Sequence, residues 1–298
     1  MIADVPVAVD ARRSRIPTAV LIICAGALIA WTSVIAKAVG TGWGGEDLHP
    51  LTITAGRFSF AFLALSALLV ARWPGLDGTP WRIHGLRVCA GVSGVTLLFA
   101  AAAAIPLADA NAISFLSPAI TMVLAVIVLG ERANRRVVPA AIAFVGAIIL
   151  TRPGSDAFRP EALLALGAAG ALGAELLFIK QLADREPPLR ILGISNGLGS
   201  VLALLAASLL AQVPSWQQLA ALAALGVSML SAQALFIVAL QRSDASAVAP
   251  FLYLVPLFAA GYDWLLFAEA PDAVSVVGVT VIVAGAAWLA RREQLLSP

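Results

Sequence analysis

ISFLSPAITMVLAVIVLGE, residues 113–131, is an apolar run closed by a single charge, and FLYLVPLFAAGYDWLLFAE, residues 251–269, repeats its punctuation. In each, a proline precedes the closing glutamate by 13 residues: Pro118 and Glu131, then Pro256 and Glu269. Both landmarks recur at an offset of 138 residues (118 to 256, 131 to 269), and Pro50 and Pro188, each opening an apolar run, share it. Gly146 and Gly285 are 139 apart, and GALIAWTSVIAK, ending at Lys37, is matched by GALGAELLFIK, ending at Lys180. Several landmarks in the same order along the chain predict an internal repeat.

Outward from that stretch the pattern continues over the whole chain. Of 298 residues 61% are hydrophobic and only 12% charged, about half the charge of an ordinary soluble domain. A soluble protein of this size could not hide so much apolar surface. Ten apolar segments are expected near 17–39, 50–72, 88–105, 107–129, 135–152, 160–183, 188–212, 217–240, 246–268 and 272–290. Each is about 18–25 residues, enough to cross a bilayer as a helix. The spans lack the apolar–polar alternation of barrel strands. The fold class is therefore an all-α integral membrane protein of ten transmembrane helices. Its repeats occupy 17–152 and 160–290, between short tails at 1–16 and 291–298. Five spans per repeat is an odd number, so the second half enters the membrane inverted. Two inverted five-helix repeats around a central cavity are a construction of alternating-access transporters.

Charge sets the expected orientation. With the N-terminus in the cytoplasm, fourteen of the 19 Lys and Arg residues border inside segments, from Arg12, Arg13 and Arg15 to Arg291 and Arg292. Arg87 is among these loop charges. Two, Arg152 and Arg159, fall outside, and Lys37, Arg57 and Lys180 lie within spans. That bias places both termini in the cytoplasm. Trp43, Trp73, Trp81, Trp216 and Trp288 fall near span ends, where amphipathic rings favour the headgroup zone. Arg12–Arg15 before an apolar run resembles a signal peptide, but the run to Val39 is too long for one and reads as an uncleaved first span.

These residues carry a resemblance. The chain resembles the drug/metabolite transporter superfamily in its ten-span EamA-like branch. The pattern is a proline within span 4 followed by an LGE-type end, here Pro118 with Leu129-Gly130-Glu131. It is repeated in span 9 as Pro256 with Phe267-Ala268-Glu269, where Ala268 replaces the usual glycine. An Arg early in span 2 (Arg57) and a Lys closing span 1 (Lys37) also fit. The stretches LADANAISFLSP (107–118) and SDASAVAPFLYLVP (243–256) look most like the bacterial subgroup with riboflavin and S-adenosylmethionine importers. The resemblance implies a central cavity among spans 1, 3, 4, 6, 8 and 9, and a place in the bacterial inner membrane.

Charges inside spans are functional candidates, because hydrocarbon disfavours them by roughly 2.5–3.5 kcal/mol at the centre. Glu175 is the deepest. It must face a cavity, find a cationic partner or stay protonated, and a cavity-facing carboxylate can couple transport to protons. Arg57 lies two turns into its span and needs an internal partner, with Asp109, Asp263 and Glu46 as candidates, or a cavity. Lys37 and Lys180 either snorkel to the interface or act in gating or substrate contact. Asp263 is a further coupling or gating candidate, nearer the outer face. Glu131 and Glu269 read as structural, with gating as the alternative. Pro118 and Pro256 would each free a backbone carbonyl or bend the span.

The polar and aromatic residues expected to bind substrate are Trp31, Phe99, Asn111, Ser114, Phe115, Glu175, Asn196, Gln233, Phe236 and Tyr253, with Ser33 and Thr96 beside them. Interhelical hydrogen bonding is the alternative for the polar ones. Phe115 and Tyr253 stand three residues before Pro118 and Pro256, and as a symmetric pair would suit a planar or apolar substrate body.

The expected function is a secondary transporter of a small organic metabolite, an amino acid or similar, coupled to protons or to exchange. The alternatives are an importer of a larger metabolite such as riboflavin or S-adenosylmethionine, a polyspecific drug/metabolite exporter, and a channel or interaction subunit. No G-x-x-x-x-G-K-[ST] for ATP and no recognisable enzyme motif appear, so an enzyme is not expected. Cys24 and Cys89 read as buried small hydrophobes, and His49 and His84 as loop residues on opposite faces. Neither pair makes a metal site, and no cofactor is expected. The partners are the small substrate, membrane lipid and protons, without nucleic acid.

Overall fold

Apolar runs rich in Ala, Leu and Val, with their charges gathered at the ends, can satisfy every backbone hydrogen bond only by coiling into helices. The computed structural model describes residues 18–72, 74–129, 142, 145–146, 149, 159–183, 185–242, 254–269 and 272–294, and the regular structure within them is all helical. The helices are α1 (Thr18–Gly40), α2 (Pro50–Ala71), α3 (Trp81–Ala104), α4 (Leu107–Ser114), α5 (Ser117–Leu129), α6 (Ala162–Ala183), α7 (Pro188–Ser208), α8 (Trp216–Arg242), α9 (Val255–Tyr262) and α10 (Ala273–Gln294), with a π-helical segment at Asp263–Phe267 after α9. Among the described residues six helices, α1, α2, α3, α6, α7 and α8, are long and apolar enough to cross a membrane. Glu131, Tyr253 and most of the expected fifth span lie outside the described residues, as do the side chains of Pro118 and Lys180.

Two spans differ from their expected form. Span 4 is two helices, broken at Phe115–Leu116, with Pro118 as the second residue of α5. A proline in a first helical turn forfeits no helical hydrogen bond, so it starts a helix here rather than kinking one. Pro256 takes the same place in α9. Span 3 begins at Trp81, seven residues before Val88. Arg82, His84 and Arg87 had delayed the apolar count, and they belong to the helix. His84 is thus fully buried, not in a loop, and His49 caps α2 by accepting the Leu51 N–H on Nδ1. Cys24 and Cys89 are exposed on helix surfaces rather than buried.

The helices pack as α3 along α6, α1 along α8, and α2 along both α7 and α8. α5 rests on α6, and α9 on α1 and α4. One core cluster gathers Ala30, Val34, Leu107, Ile113, Leu116 and Val255; a second holds Ile53, Phe99, Leu222 and Leu225. The outside is apolar as well: Val70 is 85% exposed, Ile127 72% and Leu265 72%. Thr54, His84 and Asn111 are buried instead. That distribution suits a lipid solvent, where polar groups turn inward.

Close approach replaces the missing hydrophobic drive between helices in lipid. At Gly173 of α6 an added Cβ would stand 2.9 Å from the Ser117 carbonyl of α5. Thr121 donates to the carbonyls of both Gly173 and Ser117 at 2.8 Å. The loops pair at each end. Gln212, after α7, accepts the His49 N–H at 2.9 Å and donates to the Asp47 carbonyl at 2.9 Å. At the opposite end of α2, Arg190 donates to the Pro74 carbonyl at 2.8 Å and the Asp77 carbonyl at 3.3 Å.

Candidate functional site

Arg87 stands six residues into α3, too deep for a short exposed turn and too long to bury without a partner. Its Nη2 lies 3.6 Å from Oε1 of Glu175 on α6, and its Nη1 donates to the Ile191 carbonyl on α7 at 3.2 Å. The carboxylate can approach because residue 91 is glycine: a Cβ there would be 2.9 Å from the Glu175 carboxyl carbon. Arg57, on α2, is within electrostatic reach of the same carboxylate, and its guanidinium lies 4.4 Å from the Phe58 ring centroid. Thr96 donates to Thr54 at 3.0 Å, tying α3 to α2. Two cations and one carboxylate thus meet where α2 and α3 face α6 and α7.

A second ionic group closes the end at which α1 finishes. Lys37 Nζ is 2.8 Å from Asp263 Oδ1 and 2.7 Å from Glu269 Oε2. Asp263 Oδ2 accepts the Leu107 N–H at the start of α4. Lys37 and Asp263 are both buried, and Lys37 also lies 4.6 Å from the Phe267 ring. The π-helical turn and the left-handed Ala268 (φ 55°) bring Glu269 round to the lysine. Lys37 therefore does not snorkel; it bridges α1 to two carboxylates more than 220 residues away.

At the remaining end, His84 Nε2 and Glu186 Oε2 are 2.7 Å apart, and Glu186 Oε1 is 3.5 Å from Arg190. Among the described residues no group of three His, Cys, Asp or Glu is arranged to hold a metal ion.

The expected substrate residues fall into separate places. Ser33 donates to Asn111 Oδ1 at 3.3 Å, Asn111 Nδ2 to the Leu107 carbonyl at 2.8 Å, and Ser114 to the Asn111 carbonyl at 2.7 Å. Trp31 packs edge-on against Tyr262, with centroids 5.6 Å apart. Phe99 is buried in the second core cluster, Phe115 packs on the first, and Phe236 packs against Leu21 and Ile22. Asn196 donates to the Leu192 carbonyl at 2.9 Å, and Gln233 is half-buried on α8. Arg57 does not take Asp263, which is bound to Lys37; the carboxylate in its reach is Glu175. Arg87, His84 and Glu186 were missed as site residues. For His84 and Arg87 the signal was a strongly polar face at the head of a span, which charge counting assigned to a loop; Glu186 lies in the turn before α7.

The profile of the EamA-like transporter family matches residues 16–152 and 159–291. The chain is 28% identical over 269 residues to the S-adenosylmethionine uptake transporter of Rickettsia bellii, covering 90% of this chain and 92% of that one. It is 28% identical to the pseudopaline exporter of Pseudomonas aeruginosa UCBPP-PA14, over 82% of this chain and 88% of that one. It is 31% identical to the riboflavin transporter of Rhizobium johnstonii, over 86% of each. A solved crystal structure shares the fold at a TM-score of 0.60 and 23% identity, over 92% of this chain and 98% of that one.

Proposed function

The chain belongs to the EamA-like transporter family, and from that membership we infer that it is a secondary transporter moving a small organic metabolite across the inner membrane by alternating access. It is an integral membrane protein whose relatives are drug/metabolite transporters. The observation that carries the mechanism is the contact of buried Arg87 with half-buried Glu175, with Arg57 beside it. It joins helices of the first half to α6 of the second.

Ten spans in two inverted repeats account for the packing. Exchanging α1 with α6, α2 with α7 and α3 with α8 carries the α1–α8 contact onto α6–α3 and leaves α2–α7 in place. The same exchange carries the loop pair around Gln212 onto the loop pair around Arg190, at the opposite end. Such pseudo-symmetry supports two access states of similar energy.

In this reading Glu175 couples movement to protons or exchange. Charged, it attracts Arg57 and Arg87 and holds the halves together; protonated, it releases them. Lys37 with Asp263 and Glu269 gates the outer end, and Pro118 and Pro256, each the second residue of its helix, lie at the hinges. Trp31, Ser114, Phe115 and Asn111 contribute to the substrate path, with Asn196, Gln233, Phe99, Phe236 and Tyr253 around it. An amino acid or similar metabolite is the first substrate class. Import of a larger metabolite is favoured as a second reading by the relatives that carry S-adenosylmethionine and riboflavin.

The test is flux in proteoliposomes holding the purified chain and no nucleotide, with labelled amino acids, S-adenosylmethionine and riboflavin. Accumulation of one class under an imposed pH gradient, or counterflow against the same solute inside, is expected. No protein-dependent flux of any class would defeat the reading.

A further inference from the structure

We propose that Arg57 and Arg87 form the recognition site for a carboxylate group of the transported substrate. The inference rests on the transporter reading and names the substrate class for that same site. Charge is the first argument. Arg57, Arg87 and Glu175 together carry one surplus positive charge, in a place where water does not reach the arginines: Arg57 is 6% exposed and Arg87 4%. A buried excess charge is costly without a counter-ion. A monoanion balances it, whereas a phosphate dianion overshoots.

The second argument is unspent hydrogen bonding. Arg57 Nη1 and Arg87 Nε are buried without a hydrogen-bond partner among the described residues. At 3.6 Å the Arg87–Glu175 contact is an ion pair too long to be a hydrogen bond. A purely structural buried ion pair is stable only when its donors are satisfied, and here donors on both arginines remain free. Planar guanidinium forks match carboxylate geometry.

The third argument is position. Arg57 is seven residues into α2 from one end and Arg87 six residues into α3 from the other. Arg87 contacts a carboxylate on α6 and Arg57 lies within its electrostatic reach, so the site spans the junction that alternating access must open. A substrate carboxylate would replace Glu175 at the arginines, loosening the contact between halves only when cargo is present. Among the described residues the buried carboxylates Asp263 and Glu186 are taken by Lys37 and by His84, and do not compete.

The purified full chain is melted in detergent with two matched probe pairs. These are S-adenosylmethionine against its decarboxylated form, and L-phenylalanine against 2-phenylethylamine, with phosphate and chloride alone as ion controls. The expected result is stabilisation by the carboxylate member of at least one pair and none by its carboxyl-free partner. Affinity for that probe should fall about tenfold or more in Arg57→Gln and Arg87→Gln, as expected for loss of a charged hydrogen bond. It should be partly kept in Arg57→Lys and Arg87→Lys. Glu175→Gln should bind the probe more tightly, a gain that no loss of packing produces. Melting without probe identifies any variant that does not fold. Equal stabilisation by both members of a pair, an effect reproduced by phosphate or chloride alone, unaltered affinity in the folded glutamine variants, or no shift from any probe would each overturn the proposal. Protein-dependent flux of riboflavin, which has no carboxylate, in place of the carboxylate probes would leave transport standing and remove this site. The absence of all flux would instead fail the transporter reading.

Discussion

Lys37 and Glu269 make one contact of 2.7 Å, but its two ends live in different media: the lysine side chain is 6% exposed and the glutamate 45%. Removing the buried partner leaves Asp263 with an uncompensated charge, so Lys37→Met should cost about 3–5 kcal/mol in melting experiments. Glu269→Gln should cost no more than about 1 kcal/mol, because an exposed end is screened. Equal losses would mean that Asp263 does not depend on the lysine. Gly91 allows a different separation. Its added Cβ would meet only the tip of the Glu175 side chain, which can turn aside. Gly91→Ala should therefore leave stability within about 1 kcal/mol while lowering transport, because the carboxylate moves relative to Arg87. A large stability loss with transport retained would contradict that placement.

At the scale of elements, backbone geometry decides. Gly173 faces the Ser117 carbonyl, which cannot swing away as a side chain does. Gly173→Ala should separate α5 from α6 and cost about 1–3 kcal/mol, as overpacking does. Ala268 follows the π-helical segment at φ 55°, a left-handed conformation unfavourable for any residue with a Cβ by about 1–2 kcal/mol. Ala268→Gly should raise stability by about 0.5–1 kcal/mol, less than the full relief because glycine loses more entropy on folding. Lower stability in that variant would argue against the left-handed turn. The departure at Ala268 from the family's glycine was legible in the sequence; the φ angle that gives it meaning was not. The long spans were legible because hydropathy over about twenty residues is a local property. The break at Phe115–Leu116 was not, because a proline in an apolar run reads alike at a kink and at a helix start. Arg87 was counted with the loops because its partner lies 88 residues on (87 to 175), and no local pattern carries a pairing of that range.

For the whole molecule, orientation and alternation each have a direct readout. With Cys24 and Cys89 replaced by serine, a cysteine at Thr41 should react with an impermeant reagent from outside intact cells, and one at Asp77 should not. Both positions are exposed, in loops at opposite ends of α2, so the reverse pattern would overturn the orientation read from the positive charges. The central claim is that the halves are held across their junction by Glu175 and released by its protonation or by cargo. Its most direct test is transport by Glu175→Gln in proteoliposomes, measured both as uptake driven by a pH gradient and as exchange between equal pools. Loss of gradient-driven accumulation with exchange retained is the predicted result; accumulation at the level of the unaltered protein would contradict it.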